Sequence, residues 1–177
     1  MDCVEKVLID EITLKNKVEE LAQQITQDYK GQSLLIVGIL KGSVPFMADL
    51  LRLIALDDLG IDFMSVSSYN GTNSTGRLRI LKDLDVDITD KNVLIVEDIV
   101  DTGFTLSKLK ELLLTRNPKS LKICTILNKP ARRTTEIDVE YIGFDIPDEF
   151  IIGYGLDYDE KFRNLPYVGV LKREIYE

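Results

Sequence analysis

The stretch VLIVEDIVDTGFT, residues 93–105, is an apolar run that meets three carboxylates and then a glycine turn. Val93, Leu94, Ile95 and Val96 show no polar alternation, which is the pattern of a strand covered on both faces. Glu97, Asp98 and Asp101 crowd its end, and Thr102, Gly103 and Thr105 open the next element. Such crowding costs electrostatic free energy unless a cation or a group rich in hydroxyls shares the site. An acidic pair after a strand is often only a solvated turn, and phospho-accepting receiver domains also carry acidic pockets. The full string is far more restrictive: an apolar strand, then E-D-x-x-D-T-G-x-T, then the amphipathic helix TLSKLKELLLTR, 105–116.

Two further stretches repeat the theme of a buried strand ending in a polar junction. SLLIVGIL, 33–40, runs into Lys41-Gly42, after which Ser43 is a candidate N-cap and Pro45 falls in the first turn of a helix reaching about Ala55. SLKICTIL, 120–127, ends at Asn128-Lys129-Pro130. Upstream, Thr13 is a candidate cap for a helix over 14–30, with Leu14, Val18, Leu21, Ala22 and Ile25 on one face and Gly31 as its stop. IDFMSVSSY, 61–69, alternates like a half-buried strand; NGTNSTG, 70–76, is loop by composition; RLRILKDL reads as another strand. VEYIGFDIP and EFIIGYGLDY read as short strands, and YVGVL, 167–171, is expected to close the core. Strands alternating with helices predict an α/β fold, an open and mostly parallel sheet flanked by helices, in one domain spanning 1–177. Ligands of such sheets bind at the carboxyl ends of strands, so the three junctions are the places to look.

Composition narrows the chemistry. The chain has 177 residues, 45% hydrophobic and 29% charged, an ordinary globular mix. No run approaches the roughly 18 apolar residues of a membrane span, and the acidic start lacks a signal-peptide core, so the expectation is a cytoplasmic protein. The balance of 22 Lys and Arg against 30 Asp and Glu, a net −8, opposes non-specific binding to nucleic acid. With no histidine there is no Ser–His or Cys–His pair and no imidazole metal site, and Cys3 and Cys124 are too few for a disulfide framework. Any metal must be hard and oxygen-liganded, with magnesium first among candidates. Acid–base work falls to Asp, Glu, Lys or Tyr.

At the middle junction, Gly103 and the two threonines place backbone N–H groups in a nest at a helix N-terminus, which suits a phosphate monoester. Glu97 and Asp98 would repel that phosphate, so they must meet ligand hydroxyls or a magnesium ion. A sugar phosphate satisfies both demands. Asp101, sharing its site with two acids, is expected to have a raised pKa, and it is also a candidate N-cap for the following helix.

With those residues in view, the chain resembles the type I phosphoribosyltransferases, and among them those that act on hypoxanthine and guanine. The match runs nearly the whole length, through GILKGSVPF, SSY, LKDLDVDITDKNVLIVEDIVDTG, LNKP and IGFDIPDEFIIGYGLDYDEKFRNLPYVGVL in family order. The resemblance implies transfer of phosphoribosyl from 5-phosphoribosyl 1-pyrophosphate to a 6-oxopurine, giving IMP or GMP and pyrophosphate, with Mg2+, in a homodimer or homotetramer. It implies a small hood built from segments near both termini. It gives Glu97 and Asp98 to the ribose hydroxyls and, with Asp157, to magnesium. The loop Asp101, Thr102, Gly103, Phe104, Thr105 receives the 5-phosphate, and Asp101 near the purine N7 is the general base or acid. Lys41-Gly42 matches the loop that receives pyrophosphate, where relatives can carry a non-proline cis peptide, and Arg163 matches a further pyrophosphate contact. Ser68 and Tyr69 match a closing lid. Lys129 matches the donor to the purine 6-oxo group, Phe150 the stacking aromatic and Ile151 a backbone contact to the base, and Asp157 is counted with them among the purine-binding residues. Phe104 departs from relatives that carry lysine there, but its backbone N–H still serves the nest. Two rivals stay open: a nucleic-acid-binding regulator of the same fold, and an enzyme for xanthine, uracil or adenine.

Overall fold

The computed structural model describes residues 3–68 and 78–176. In chain order the elements are β1 (Val4–Ile9), α1 (Glu11–Asp28), β2 (Leu34–Ile39), α2 (Val44–Leu53), β3 (Leu59–Ser68), β4 (Leu78–Lys82), β5 (Asn92–Val100), α3 (Phe104–Leu114), β6 (Ser120–Asn128), β7 (Tyr141–Asp145), β8 (Ile151–Ile152), β9 (Val168–Leu171) and α4 (Arg173–Tyr176), with a short 3-10 turn at Pro130–Arg132. Six strands form one sheet in the order β4-β3-β2-β5-β6-β7. Its five strands from β3 to β7 are parallel, and β4 is antiparallel at the edge. The α/β reading with a mostly parallel sheet is therefore what the chain adopts.

Residue parity explains the continuous apolar runs. Ile36, Leu94, Val96, Cys124 and Ile126 face α1 and α2, meeting Leu14, Leu21, Ile25, Phe46 and Leu50. Leu35, Val37, Val93, Ile95 and Ile123 face the other way, onto Leu106, Leu109 and Leu113 of α3. The runs 34–39 and 93–96 thus carry no polar side chain, because helices cover both faces of these strands.

Several sequence expectations shift by a residue or change role. The cap of α1 is Asp10, whose Oδ1 accepts the Thr13 N–H at 2.7 Å, so Thr13 lies inside the helix. Ser43 precedes α2, but its own backbone is helical and its buried hydroxyl makes no cap hydrogen bond. Strand β1 was not foreseen, because VEKVLI alternates weakly and finds its partner only at the other chain end. YVGVL does not join the main sheet: β9 pairs antiparallel with β1 and with β8 in a separate sheet ordered β1-β9-β8. Among the described residues no helix is long and apolar enough to cross a membrane.

Asp62 on β3 ties the edge of the main sheet to the approach to β5. Its Oδ1 accepts Phe63 N–H at 2.7 Å, and its Oδ2 accepts Asp85 N–H at 2.8 Å and Val86 N–H at 3.2 Å. Burial pushes the carboxyl up, but these donors and Lys82 outweigh it and hold it below the usual carboxylate range. Replacing it strands buried N–H groups, so Asp62→Ala is expected to lower the free energy of urea unfolding by about 2–4 kcal/mol. Asp62→Asn, which keeps an acceptor, should lose less.

Candidate active site

The strand order reverses direction between β2 and β5: the chain moves from β2 to β3 on one side and returns to β5 on the other. Their carboxyl ends therefore border the crevice where open α/β sheets bind ligands. β2 stays with β5 only to the pair Gly38–Val96, whereas β6 stays with it to Val100–Asn128. Glu97 and Asp98 lie on the stretch that has lost one neighbour, inside the strand rather than after it. Alternation sends their side chains to opposite faces.

Asp98 points at the turn between β2 and α2. A methyl group on Gly42 would stand 1.7 Å from Asp98 Oδ2, so only glycine lets the turn come this close. The peptide between Leu40 and Lys41 in this turn is cis. Asp98 Oδ1 accepts the Ile99 N–H at 2.8 Å. Burial pushes the Asp98 carboxyl up to about 6, although that N–H and the Arg163 charge pull it down. Glu97 lines a cavity of about 180 Å³ with Asp101, Thr102, Gly103 and Thr105. Burial, then the charge of Asp98, raises its carboxyl well above the usual range.

That cavity is the mouth of the predicted nest. Gly103 adopts φ 81°, α3 begins at Phe104, and the first N–H groups of a helix have no carbonyl behind them. The Phe104 N–H donates to Thr102 Oγ1 at 3.4 Å. The cap position belongs to Gly103, so Asp101 is not the N-cap. Arg132 Nε lies 2.9 Å from Asp101 Oδ1, off hydrogen-bond alignment, and reaches Asp148 at 3.5 Å with Nη1; that Oδ1 atom is itself shielded from solvent. Arg133 donates to the Asp101 carbonyl at 3.2 Å and to Asn128 Oδ1, and Thr134 and Thr135 N–H groups bond the Thr102 carbonyl at 3.0 and 3.1 Å. The segment after β6 thus clamps the loop from outside.

On the other flank, the segment after β8 closes over the Gly42 turn. A methyl on Gly155 (φ 101°) would lie 1.9 Å from the Gly42 carbonyl oxygen, so two backbones touch here. Arg163 donates to the Gly155 carbonyl at 2.8 Å and sits 2.9 Å from Asp157 Oδ1. The Glu160 carboxylate bridges two cations, with Lys41 Nζ at 2.7 Å and Arg163 Nη2 at 3.1 Å. Lys41, Gly42, Asp98, Asp157 and Arg163 are thereby brought together from three parts of the chain.

Lys129 is 8% exposed at the end of β6, donates to the Glu149 carbonyl at 2.7 Å and lies 3.9 Å from Asp148 Oδ1. Burial lowers its ammonium, with Asp101 and Asp148 opposing. Ile151 is buried in β8 opposite Val170, and Phe150 just before it keeps part of its ring exposed. The lid residue Tyr69 and the loop 70–76 lie outside the described residues, and Ser68 is described only as the last residue of β3. The sequence reading missed Arg132, Arg133 and Glu160. The adjacent arginines after LNKPA were visible, but the carboxylates that Arg132 meets and the carbonyl oxygens that Arg133 meets were not.

Residues 9–159 match the family described as the phosphoribosyl transferase domain. This chain belongs to that family. It is 54% identical over 174 residues to the hypoxanthine-guanine phosphoribosyltransferase of Staphylococcus epidermidis, covering 98% of this chain and 97% of that one. It is 51% identical over 174 residues to the bifunctional protein TilS/HprT of Listeria monocytogenes, where it spans 98% of its own length but only 27% of the relative. Among solved structures it superposes on a hypoxanthine phosphoribosyltransferase of Staphylococcus aureus with a TM-score of 0.94 and 52% identity, covering 99% of this chain and 96% of the other.

In this phosphoribosyl transferase domain the magnesium question turns on the donor set. Among the described residues no three carboxylates or thiols converge closely enough to hold a metal alone. Glu97, Asp98 and Asp157 are nevertheless hard oxygen donors, and Glu97 and Asp98 are short of cations. That fits an ion which keeps waters and takes one or two carboxylates plus substrate phosphate oxygens.

The raised Asp98 value has a stability consequence. Its folded value of about 6 exceeds the usual 3.8, so its contribution is fully present below about pH 4 and is lost as pH rises through about 6. Without divalent cations, Asp98→Asn should melt near the parent temperature at pH 4 and progressively above it up to pH 7. A constant difference across that range would show that Asp98 is not buried as described.

Proposed function

We propose that this chain transfers the phosphoribosyl group of 5-phosphoribosyl 1-pyrophosphate to N9 of hypoxanthine or guanine, giving IMP or GMP and pyrophosphate. The observation that carries this reading is the two-sided crevice at the β2/β5 switch point. A helix N-terminal nest opens on one side of β5, cationic Lys41 and Arg163 stand on the other, and buried carboxylates lie between. That order matches a donor with phosphate at one end, a diol in the middle and pyrophosphate at the other. It is supported by the near full-length similarity to hypoxanthine-guanine phosphoribosyltransferases.

In the proposed reaction the bond from the anomeric carbon to pyrophosphate oxygen breaks and the bond to N9 forms. The electron pair leaves with pyrophosphate, and the purine proton passes to Asp101. Thr102, Gly103, Phe104 and Thr105 hold the 5-phosphate, and Glu97 and Asp98 accept from the ribose hydroxyls. Magnesium ions, taken by Glu97 and Asp98 on one side and by Asp157 for a second ion rather than by all three carboxylates together, would neutralise the leaving pyrophosphate. Lys129 donates to the 6-oxo group, which favours hypoxanthine and guanine over adenine, whose 6-amino group also donates. Phe150 stacks on the base and the Ile151 backbone borders it. The three-stranded sheet of β1, β9 and β8 is the hood, and Ser68 with Tyr69 the lid that excludes water from a cationic centre. Such a transition state needs fixed anion holders more than a nucleophile, so a chain without histidine can perform it.

A spectrophotometric panel of hypoxanthine, guanine, xanthine, adenine and uracil, with magnesium and phosphoribosyl pyrophosphate, tests the reading; no turnover of any 6-oxopurine would remove it. Asp101→Asn is expected to lower turnover about 100-fold or more while changing donor affinity less than about threefold. Because the Glu160 carboxylate occupies both Lys41 and Arg163, pyrophosphate must take its place. Calorimetry should show Glu160→Gln binding pyrophosphate about two- to fivefold more tightly, the scale of an exposed ion pair.

A further inference from the structure

Phe150 does not stand alone. The Tyr176 ring stacks on it with centroids 4.7 Å apart and an interplanar angle of 22°, and Tyr158 meets it at 5.6 Å and 83°. Both tyrosines belong to the apolar cluster beneath the small sheet, packed against Ile152, Leu165 and Leu171. Three hydrogen bonds hold this arrangement. Leu171 N–H donates to the Phe150 carbonyl at 2.8 Å, Ile175 N–H to the Lys172 carbonyl at 3.1 Å, and Tyr158 Oη–H to the Ile175 carbonyl at 3.1 Å. The end of the chain is thereby folded under Phe150. Alongside these two ring contacts Phe150 stays 39% exposed.

We infer that Tyr176 is a positioning residue for base binding: it backs one face of Phe150 so that the opposite face is presented, fixed, to the purine. This rests on the reading above that Phe150 stacks on the base. An unsupported Phe150 would sample other rotamers, and the base would have to order the ring as it bound. Offset aromatic pairs contribute beyond their buried area, on the scale of a few-fold in affinity each. The effect is expected on the base, because the Tyr176 ring stacks directly on Phe150.

The test compares Tyr176→Leu, Tyr176→Met and Tyr176→Phe with the parent, measuring kcat and the separate KM values for hypoxanthine and phosphoribosyl pyrophosphate. Leu and Met keep an apolar plug in the cluster but remove the flat face. Both should raise the hypoxanthine KM about three- to tenfold, with kcat and the donor KM within about twofold. Tyr176→Phe should restore the parent value. A parallel rise in both KM values with a fall in kcat would mean general loosening and overturn the inference. A lower hypoxanthine KM would put Tyr176 on the base's own side of the ring and overturn it too. Phe150→Leu separates the layers. If it raises the hypoxanthine KM while Tyr176→Leu does not, the inference alone fails; if neither does, the stacking reading fails with it.

Discussion

The constraint on which the rest depends is that β5 outlasts β2. Once β2 turns away after Ile39, the next residues of β5 keep hydrogen-bonded company on the β6 side only, and Glu97 and Asp98 emerge there. They are held by a strand that cannot relax, in surroundings that penalise their charge, so both carboxyls are raised. A loop could have let them swing into water and shed that penalty. Placement on a ladder keeps them available for a cation or for hydroxyl donors.

The crevice is assembled by close backbone approaches. Gly42 meets the Asp98 carboxylate, Gly155 meets the Gly42 carbonyl, and Gly103 meets the Thr135 carbonyl, each at a distance that a side chain would forbid. These contacts join the turn after β2, the segment after β8 and the segment after β6 to the end of β5. Cations face carboxylates across two of these seams, Arg132 beside Asp101 and Lys41 beside Glu160, while Arg163 meets Asp157 within the segment after β8. In a chain of net charge −8 the positive charge is thus concentrated locally, beside the N-terminus of a helix.

The small sheet adds the feature least expected from an ordinary α/β domain. Its strands come from both chain ends, and its core carries the tyrosines that back Phe150. The segment bearing Arg163 and Asp157 runs between its strands, so the small sheet and the cationic flank are parts of one unit.

How much was legible differs by residue. The runs at 34–39 and 93–96 declared buried strands because continuous apolarity has few other uses, and the glycine and threonines after Asp101 declared a nest because their chemistry is local. The amphipathic face of α1 was read correctly for the same reason. The cap at Asp10 was missed because Asp and Thr are both good caps, and only the path of the chain selects one. β1 was missed because a weakly alternating strand is defined by its partner, here at the far end of the sequence. That Glu97 and Asp98 diverge to opposite faces, that Arg132 stands beside Asp101, and that Glu160 spans Lys41 and Arg163 were set by long-range packing. The sequence by itself determined which groups were present and which stretches must be buried, since those follow from side-chain chemistry and local periodicity. Tertiary structure alone decided which charges meet, because an ion pair depends on distances that close only when distant segments fold onto one another.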